Sequence, residues 1–292
     1  SIVRITTQHL TCIDFRERIP VFRIQIGRCR AQKGVIWKKR CTFAAKLLIV
    51  ARMKVIVAPR FSQYESFIRQ IPALLEQGQG EVFYDARNQV ARFREGAECF
   101  IVKRFKRVNF IQQIVYTFFR DTKARRAFCF AQEFLRRGIA TPTPVAYMER
   151  SRMGLFSVGY FVSLEVEGTE TSLLLREVEH FDPLLADAVV RQVVAMHRCG
   201  ILHGDLNLTN FLCTQDADGY HFQMIDINRS HFTDGMPTDE QCMHNLVRLT
   251  HRRDLYEYLL RSYARERGWD ADATAAQGLS LLDQFENRRF KL

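Results

Sequence analysis

Asp205, Asn210 and Asp226 are three oxygen-bearing side chains whose spacing could serve one reaction. The first two lie five residues apart in the loop HGDLNLTN, and the third ends the apolar run MID sixteen residues later. Each alone has an ordinary role, as a turn residue, an Asx cap or a strand terminator. Together with Lys103, set between apolar residues in FIVKRF, they supply the parts that ATP-dependent phosphoryl transfer requires. An attacking hydroxyl needs a carboxylate within hydrogen-bond reach to orient it and take its proton late, a part open to Asp205. Hard oxygen ligands suit Mg²⁺, which keeps waters and phosphate oxygens beside one or two carboxylates, and Asn210 and Asp226 fit. Lys103 would hold the α and β phosphates as a point charge. His203 reads as a buried ring that orients the loop more readily than as a proton carrier.

Two different kinds of structure must carry these groups. The runs EVFY, VARF and CFIVKRF, separated by Asp85, Asn88 and Gly96, predict a small antiparallel sheet. From Asn109 to Arg137 the chain has no Gly or Pro and helical apolar spacing, which predicts one helix stopped by Gly138 and TPTP. VAYMERSRMGLFSVGYFVSLEV predicts a hairpin with SRMG at its tip. Beyond Gly168, FDPLLADAVVRQVVAMHRCG opens on an Asp182 cap with Pro183 at the first helical position, and closes at Gly200. A second hairpin turns at DADG. The segments TDEQCMHNLVRLTHRRDLYEYLLRSYARERG and ATAAQGLSLLDQFENRRF then read as amphipathic helices. A sheet-rich lobe over residues 53–167 therefore precedes a helical lobe over 168–292, with a cleft between them.

These motifs resemble the protein-kinase-like fold and, within it, the lipopolysaccharide kinase family, which includes 3-deoxy-manno-octulosonic acid (Kdo) kinases and heptose kinases. FIVKRFK, TKARRAF, GIATPTPVAY, YFVS, ILHGDLNLTNFL and MIDINRSHF carry the resemblance, over roughly residues 80 to 265. HGD stands where most protein kinases have HRD, and Asn207 stands where serine/threonine kinases usually place Lys. The resemblance implies an α+β, two-lobed fold with a small antiparallel-sheet N-lobe and a larger helical C-lobe. It implies ATP and Mg²⁺ as cofactors and a Kdo or heptose hydroxyl of the lipopolysaccharide inner core as acceptor. Carried over by motif, Asp205 is the catalytic residue, Asn210 and Asp226 are the metal ligands, and Lys103 with Glu133 binds the nucleotide. Glu133 is the only acid between Asp121 and Glu149, although counting back from GIATP places Cys129 or Phe130 nearer the expected position. No GxGxxG precedes Lys103.

Composition narrows the alternatives. With 292 residues, 47% hydrophobic, 15 Gly and 7 Pro, the chain is neither disordered nor collagen-like. Its most hydrophobic window, FAAKLLIVARMKVIVA, is interrupted by Lys46, Arg52 and Lys54, so no membrane span is expected. Of the net charge of +11, residues 1–52 contribute most, with twelve Lys and Arg against Asp14 and Glu17. The first methionine is Met53, so residues 1–52 read as a basic segment outside the core fold, from upstream translation or a targeting peptide. Eight scattered cysteines form no CxxC pair, which suits reduced thiols in a cytosolic chain.

A second basic cluster, KRFKR with Arg120, Lys123, Arg125, Arg126, Arg136 and Arg137, surrounds Phe110, Ile111, Ile114, Val115, Tyr116, Phe118 and Phe119. On pattern alone these apolar residues pack inward and the charges are a solvated face. The resemblance shifts the reading toward an anionic membrane, with the protein peripheral on the inner face of a Gram-negative inner membrane and its acceptor anchored on lipid A. Three rivals compete. A protein Ser, Thr or Tyr kinase needs a long activation segment after Asp226, whereas NRSHFTDGMPTDEQ leads directly toward a helix. A catalytically weak, pseudokinase-like protein sits poorly with all four site residues present. A nucleic-acid-binding protein leaves Asp205, Asn210 and Asp226 unexplained, so no nucleic acid partner is expected.

Overall fold

The computed structural model describes residues 52–86, 88–105 and 109–289. The basic segment 1–51, and Lys106 and Arg107 of KRFKR, lie outside the described residues. Side-chain alternation builds the sheet. Its strands are β1 (Arg52–Val57), β2 (Glu81–Asp85), β3 (Asn88–Glu95), β4 (Glu98–Phe105), β5 (Pro144–Arg152) and β6 (Leu155–Leu164), in spatial order β1-β5-β6-β4-β3-β2. Every neighbouring pair is antiparallel. In β4, Phe100 and Val102 are fully buried against Ile68 and Ile71 of α1 (Glu65–Glu76). The period of two turns Ile101 and Lys103 to the opposite face. Phe105, on that same face, packs with Phe128 of α3 (Lys123–Arg136) and Tyr147 of β5. Burial of Phe100 alone is worth roughly 2–3 kcal/mol, which anchors the strand bearing the lysine.

The sequence reading anticipated both hairpins of this sheet but neither β1 nor α1. It also drew one helix where the structure makes two. α2 (Phe110–Phe118) starts at the Asn109 cap, and α3 starts afresh at Thr122, whose hydroxyl accepts from Arg125 N at 3.1 Å and donates to Glu149 at 2.6 Å. That second cap, anchored to β5, wins over continuous helical propensity. The inward packing expected on pattern alone fails as well. No residue of α2 is buried, and Phe110, Ile111, Phe118 and Phe119 are 65 to 80% exposed.

Past β6, a short strand β7 (Thr169–Glu170) and helix α4 (Thr171–Leu175) lead to α5 (Pro183–Arg198), capped by Asp182 as the sequence indicates. Strand β8 (Ile201–Leu202) enters the HGD loop; β9 (Phe211–Asp216) and β10 (Gly219–Met224) form the second hairpin, and β11 (His231–Phe232) returns to pair with β8. The helices α6 (Asp239–Leu246), α7 (Arg253–Arg267) and α8 (Ala271–Arg289) close the lobe. Val189, Val193 and Met196 of α5 are buried with Leu255, Leu259 and Leu260 of α7 in one core.

One arginine ties the helix of the sheet side to this lobe. Arg137, just past α3, donates from Nη1 to the carbonyls of Cys199, Gly200 and Thr233 at 2.8–3.0 Å. Glu133 holds it in place, accepting from Arg137 Nε at 2.5 Å and from Arg136. Gly200, at φ +71°, leaves the space: a Cβ there would lie 2.6 Å from Thr233 O and 2.7 Å from Arg137 Nη1. Arg137→Met removes the guanidinium from three carbonyls and leaves Glu133 with Arg136 alone, and is expected to cost roughly 2–4 kcal/mol. The Arg136 hydrogen bond, opposed by partial burial and reinforced by Arg137, pushes the Glu133 carboxyl from 4.5 down to about 2. Its contribution to stability is therefore complete above pH 4.5 and fades as pH falls toward 2. The gap in Tm between wild type and Glu133→Gln should close across that window; a constant gap would contradict this account.

Candidate active site

Local sequence chemistry shapes the loop between β8 and β9. Leu206 and Leu208 are fully buried and pin alternate positions into the core. Asn207 spends its side chain as a cap, accepting from Thr209 N at 2.8 Å. It therefore does not stand in for the lysine found there in many kinases. Gly204 is fixed by contact, because a Cβ there would sit 2.0 Å from Arg229 O. Asn210 Nδ2 donates to Asp205 O at 2.7 Å, which ties both ends of the loop together and leaves its Oδ1 as the remaining acceptor. Ile225 N in turn bonds Asn210 O at 3.0 Å, bringing the segment with Asp226 alongside.

Asp226 follows β10 in a left-handed conformation, φ 51° and ψ 42°, which costs a non-glycine residue about 1–2 kcal/mol. The strained backbone aims its carboxylate at β4. Lys103 Nζ donates to Asp226 Oδ1 at 2.9 Å across 123 residues of sequence, and Asn228 Nδ2 adds a contact at 3.4 Å. Burial alone would raise the Asp226 carboxyl, but Lys103 and then Asn228 outweigh it and hold the group below the usual range. Both ions line a cavity of about 370 Å³ with Asn210 and Asn228 on one side and Val90, Ile101 and Leu212 on another. Asn228 Oδ1 is buried there without a partner among the described residues. An all-oxygen set of one carboxylate and two amides, one orphaned, suits a hard cation that keeps its own water.

The sequence reading is corrected at Glu133. Its carboxylate is committed to Arg136 and Arg137, while Lys103 meets Asp226. The α3 positions on the cavity wall are Ala127 and Ala131, which carry no charge to offer. Three further polar residues escaped that reading. Asn228 lies two places past Asp226, and Arg229 and Arg248 bracket Asp205, at 3.8 Å from Oδ2 and 3.2 Å from Oδ1. Arg248 sits in the break between α6 and α7, inside a segment that reads as one helix, so no periodic signal marked it.

His203 is fully buried and does what its position suggested. Its Nδ1 accepts from Asp205 N at 3.2 Å, so Nε2 carries the proton and donates to Ile225 O at 3.1 Å. The ring joins Asp205 to the residue before Asp226. Its carbonyl accepts from Asn245 at 2.7 Å, Asn245 Oδ1 accepts from His197 Nε2 at 3.1 Å, and Tyr263 OH reaches His197 Nδ1 at 2.8 Å. Arg267 donates to Tyr263 OH at 2.7 Å. Each ring accepts at Nδ1 and donates from Nε2, which fixes both imidazoles as neutral Nε2–H tautomers.

With this geometry in place, the relatives are informative. The model of the lipopolysaccharide kinase (Kdo/WaaP) family matches residues 107–285. The chain is 31% identical over 111 residues to lipopolysaccharide core heptose(I) kinase WaaP of Pseudomonas aeruginosa strain PAO1, covering 34% of this chain and 41% of that protein. It thus spans about two fifths of the length of that curated relative. A solved structure of WaaP in complex with acyl carrier protein matches with TM-score 0.55 at 21% identity, covering 82% of this chain and 98% of that one. This likeness shows the α+β kinase-like fold.

Burial, with the Arg267 charge adding and the Asn245 bond opposing, lowers His197 from 6.5 to about 4. The folded state thus favours the neutral ring, and this stabilisation is full above pH 6.5 and lost as pH falls toward 4. Wild type should lose roughly 3 kcal/mol over that interval in urea titrations. His197→Gln should flatten the slope, leaving the part due to His203, which burial shifts the same way. An unchanged slope would remove His197 from the proton-ordered chain.

Proposed function

Because this chain belongs to the lipopolysaccharide kinase (Kdo/WaaP) family, we propose that it transfers the γ-phosphoryl group of ATP to a sugar hydroxyl, Kdo or heptose, of the lipopolysaccharide inner core. The observation that carries the reading is the 2.9 Å contact between Lys103 and Asp226, beside Asn210 and within one loop of Asp205. Val90, Ile101 and Leu212 form an apolar slot, edged by residues 164–166, that suits a flat purine. Lys103 then exchanges part of its pairing with Asp226 for phosphate oxygens. Asp226 and Asn210 would hold Mg²⁺, with Asn228 Oδ1 as a further oxygen in the same wall. When bound, that ion draws negative charge from the phosphates.

Asp205 orients the sugar hydroxyl and receives its proton as the new O–P bond forms and the bond to the β-phosphate oxygen breaks, releasing ADP. Arg229 and Arg248, which now hold this carboxylate, lie where they can turn to negative charge on the phosphoryl group or on an acidic acceptor. A protein acceptor is the second reading, and the short path from Asp226 to α6 disfavours it. The acceptor is lipid A-linked in this proposal, so the protein works at the cytoplasmic face of the inner membrane. No described helix is long and apolar enough to cross a membrane.

The test is transfer from labelled ATP, with Mg²⁺, by the full chain onto lipid A bearing Kdo alone or Kdo and heptose. Asp205→Asn should lower transfer by roughly 10²–10⁴-fold while nucleotide binding persists. Equal transfer by both proteins would remove Asp205 from the base role, and transfer to neither glycolipid would overturn the acceptor class. Lys103→Met should weaken ATP binding as well as turnover. If it lowered kcat alone, with the KM for ATP unchanged, the lysine would not be a phosphate ligand.

A further inference from the structure

We propose that the cavity between α2 and the start of α3 binds the phosphate headgroups of an anionic bilayer, at a site separate from the nucleotide cleft. The cavity measures about 760 Å³ and shares no lining residue with the cleft. Four cations face it, Lys54, Arg120, Arg125 and Arg126, against two carboxylates, Asp121 and Glu149. Both carboxylates are already engaged. Asp121 accepts from Arg125 at 2.8 Å, and Glu149 accepts from Thr122 at 2.6 Å and pairs with Lys54 at 3.5 Å.

Neither Arg120 nor Arg126 forms a direct ion pair among the described residues, where Asp121 acts on Arg126 only through its nearby charge and Arg126 Nε is buried without an acceptor. Burial first, and then the nearby charge of Arg120, pulls the Arg126 guanidinium below its ordinary value. Two like charges held together in a partly desolvated pocket are unfavourable without an anion between them. The first turn of α3, the positive end of its macrodipole, contains no acid to relieve them.

The rim identifies the source of that anion. Phe118 and Phe119 line the cavity and are 66% and 80% exposed, and Phe110 and Ile111 extend the same uncovered helix. An anionic group alone would need no apolar surround. A phosphate carried on acyl chains matches both halves: arginines take the headgroup, while the aromatic edge of α2 enters the interface beside it. The site does not depend on the phosphotransfer reading, and its test requires no turnover.

The test is flotation of the full chain with phosphatidylcholine vesicles, with and without phosphatidylglycerol. Wild type should bind the anionic vesicles preferentially. Arg120→Gln with Arg126→Gln should weaken that binding by roughly 10- to 30-fold. Arg94→Gln with Arg191→Gln removes the same charge from exposed positions elsewhere and should change it far less. An equal loss in both pairs would mean diffuse electrostatics and overturn the site. Phe118→Ser with Phe119→Ser touches only exposed side chains, so the fold survives and vesicle binding should still fall; no fall would overturn the lipid assignment. Displacement of wild type from vesicles by inorganic phosphate at matched phosphate concentration would show a free-anion site instead. Basal ATP hydrolysis is expected to be unchanged in all three pairs.

Discussion

Lys103 and Asp226 are joined across a cleft, and neither is buried enough for the pair to add much stability. With the lysine 22% and the aspartate 42% exposed, such a contact is worth at most about 1 kcal/mol. Its consequence is placement. A cation on one strand and an anion on a strained turn neutralise each other and fix both side chains at the mouth of one cavity. The left-handed backbone at Asp226 is offset by its surroundings, since Asn210 and His203 both grip the residue just before it.

That grip extends well past the cleft. His203 links Asp205 to Ile225, Asn245 holds the His203 carbonyl, and His197, Tyr263 and Arg267 continue the chain into the helical core. A buried network bonded at both nitrogens of each ring holds one arrangement, so the loop geometry is set from the helices behind it. Arg137 does the corresponding work from the other side, fastening the end of α3 to the approach of the same loop. Together they fix the loop that carries Asp205 from two sides.

The uncovered face of α2 stands in contrast to this order. An apolar helix with no residue fully buried is expensive to keep in water, and an adjoining pocket in which Arg120 and Arg126 lack a direct ion pair among the described residues is expensive for a different reason. The two costs lie side by side, and a single amphiphilic ligand would relieve both.

Much of this architecture was legible in the chain. Period-two runs and polar turns marked the hairpins, and the spacing of Asp205, Asn210 and Asp226 marked side chains that the fold brings close together, because both signals are local. The reading failed where distant contacts outweigh local preference. Helical periodicity ran through Phe119–Thr122, but the Thr122 hydroxyl found Glu149 and ended one helix there. Glu133 was the only acid in range of Lys103 by counting, yet two arginines a turn away took its carboxylate. Asn228, Arg229 and Arg248 carry no pattern, since their importance arises only from what lies across the cleft. By itself the sequence determined which groups could perform the chemistry and the order of elements that bear them. Tertiary structure alone decided which charges meet, because pairing depends on the few ångströms between side chains that sequence separation does not record.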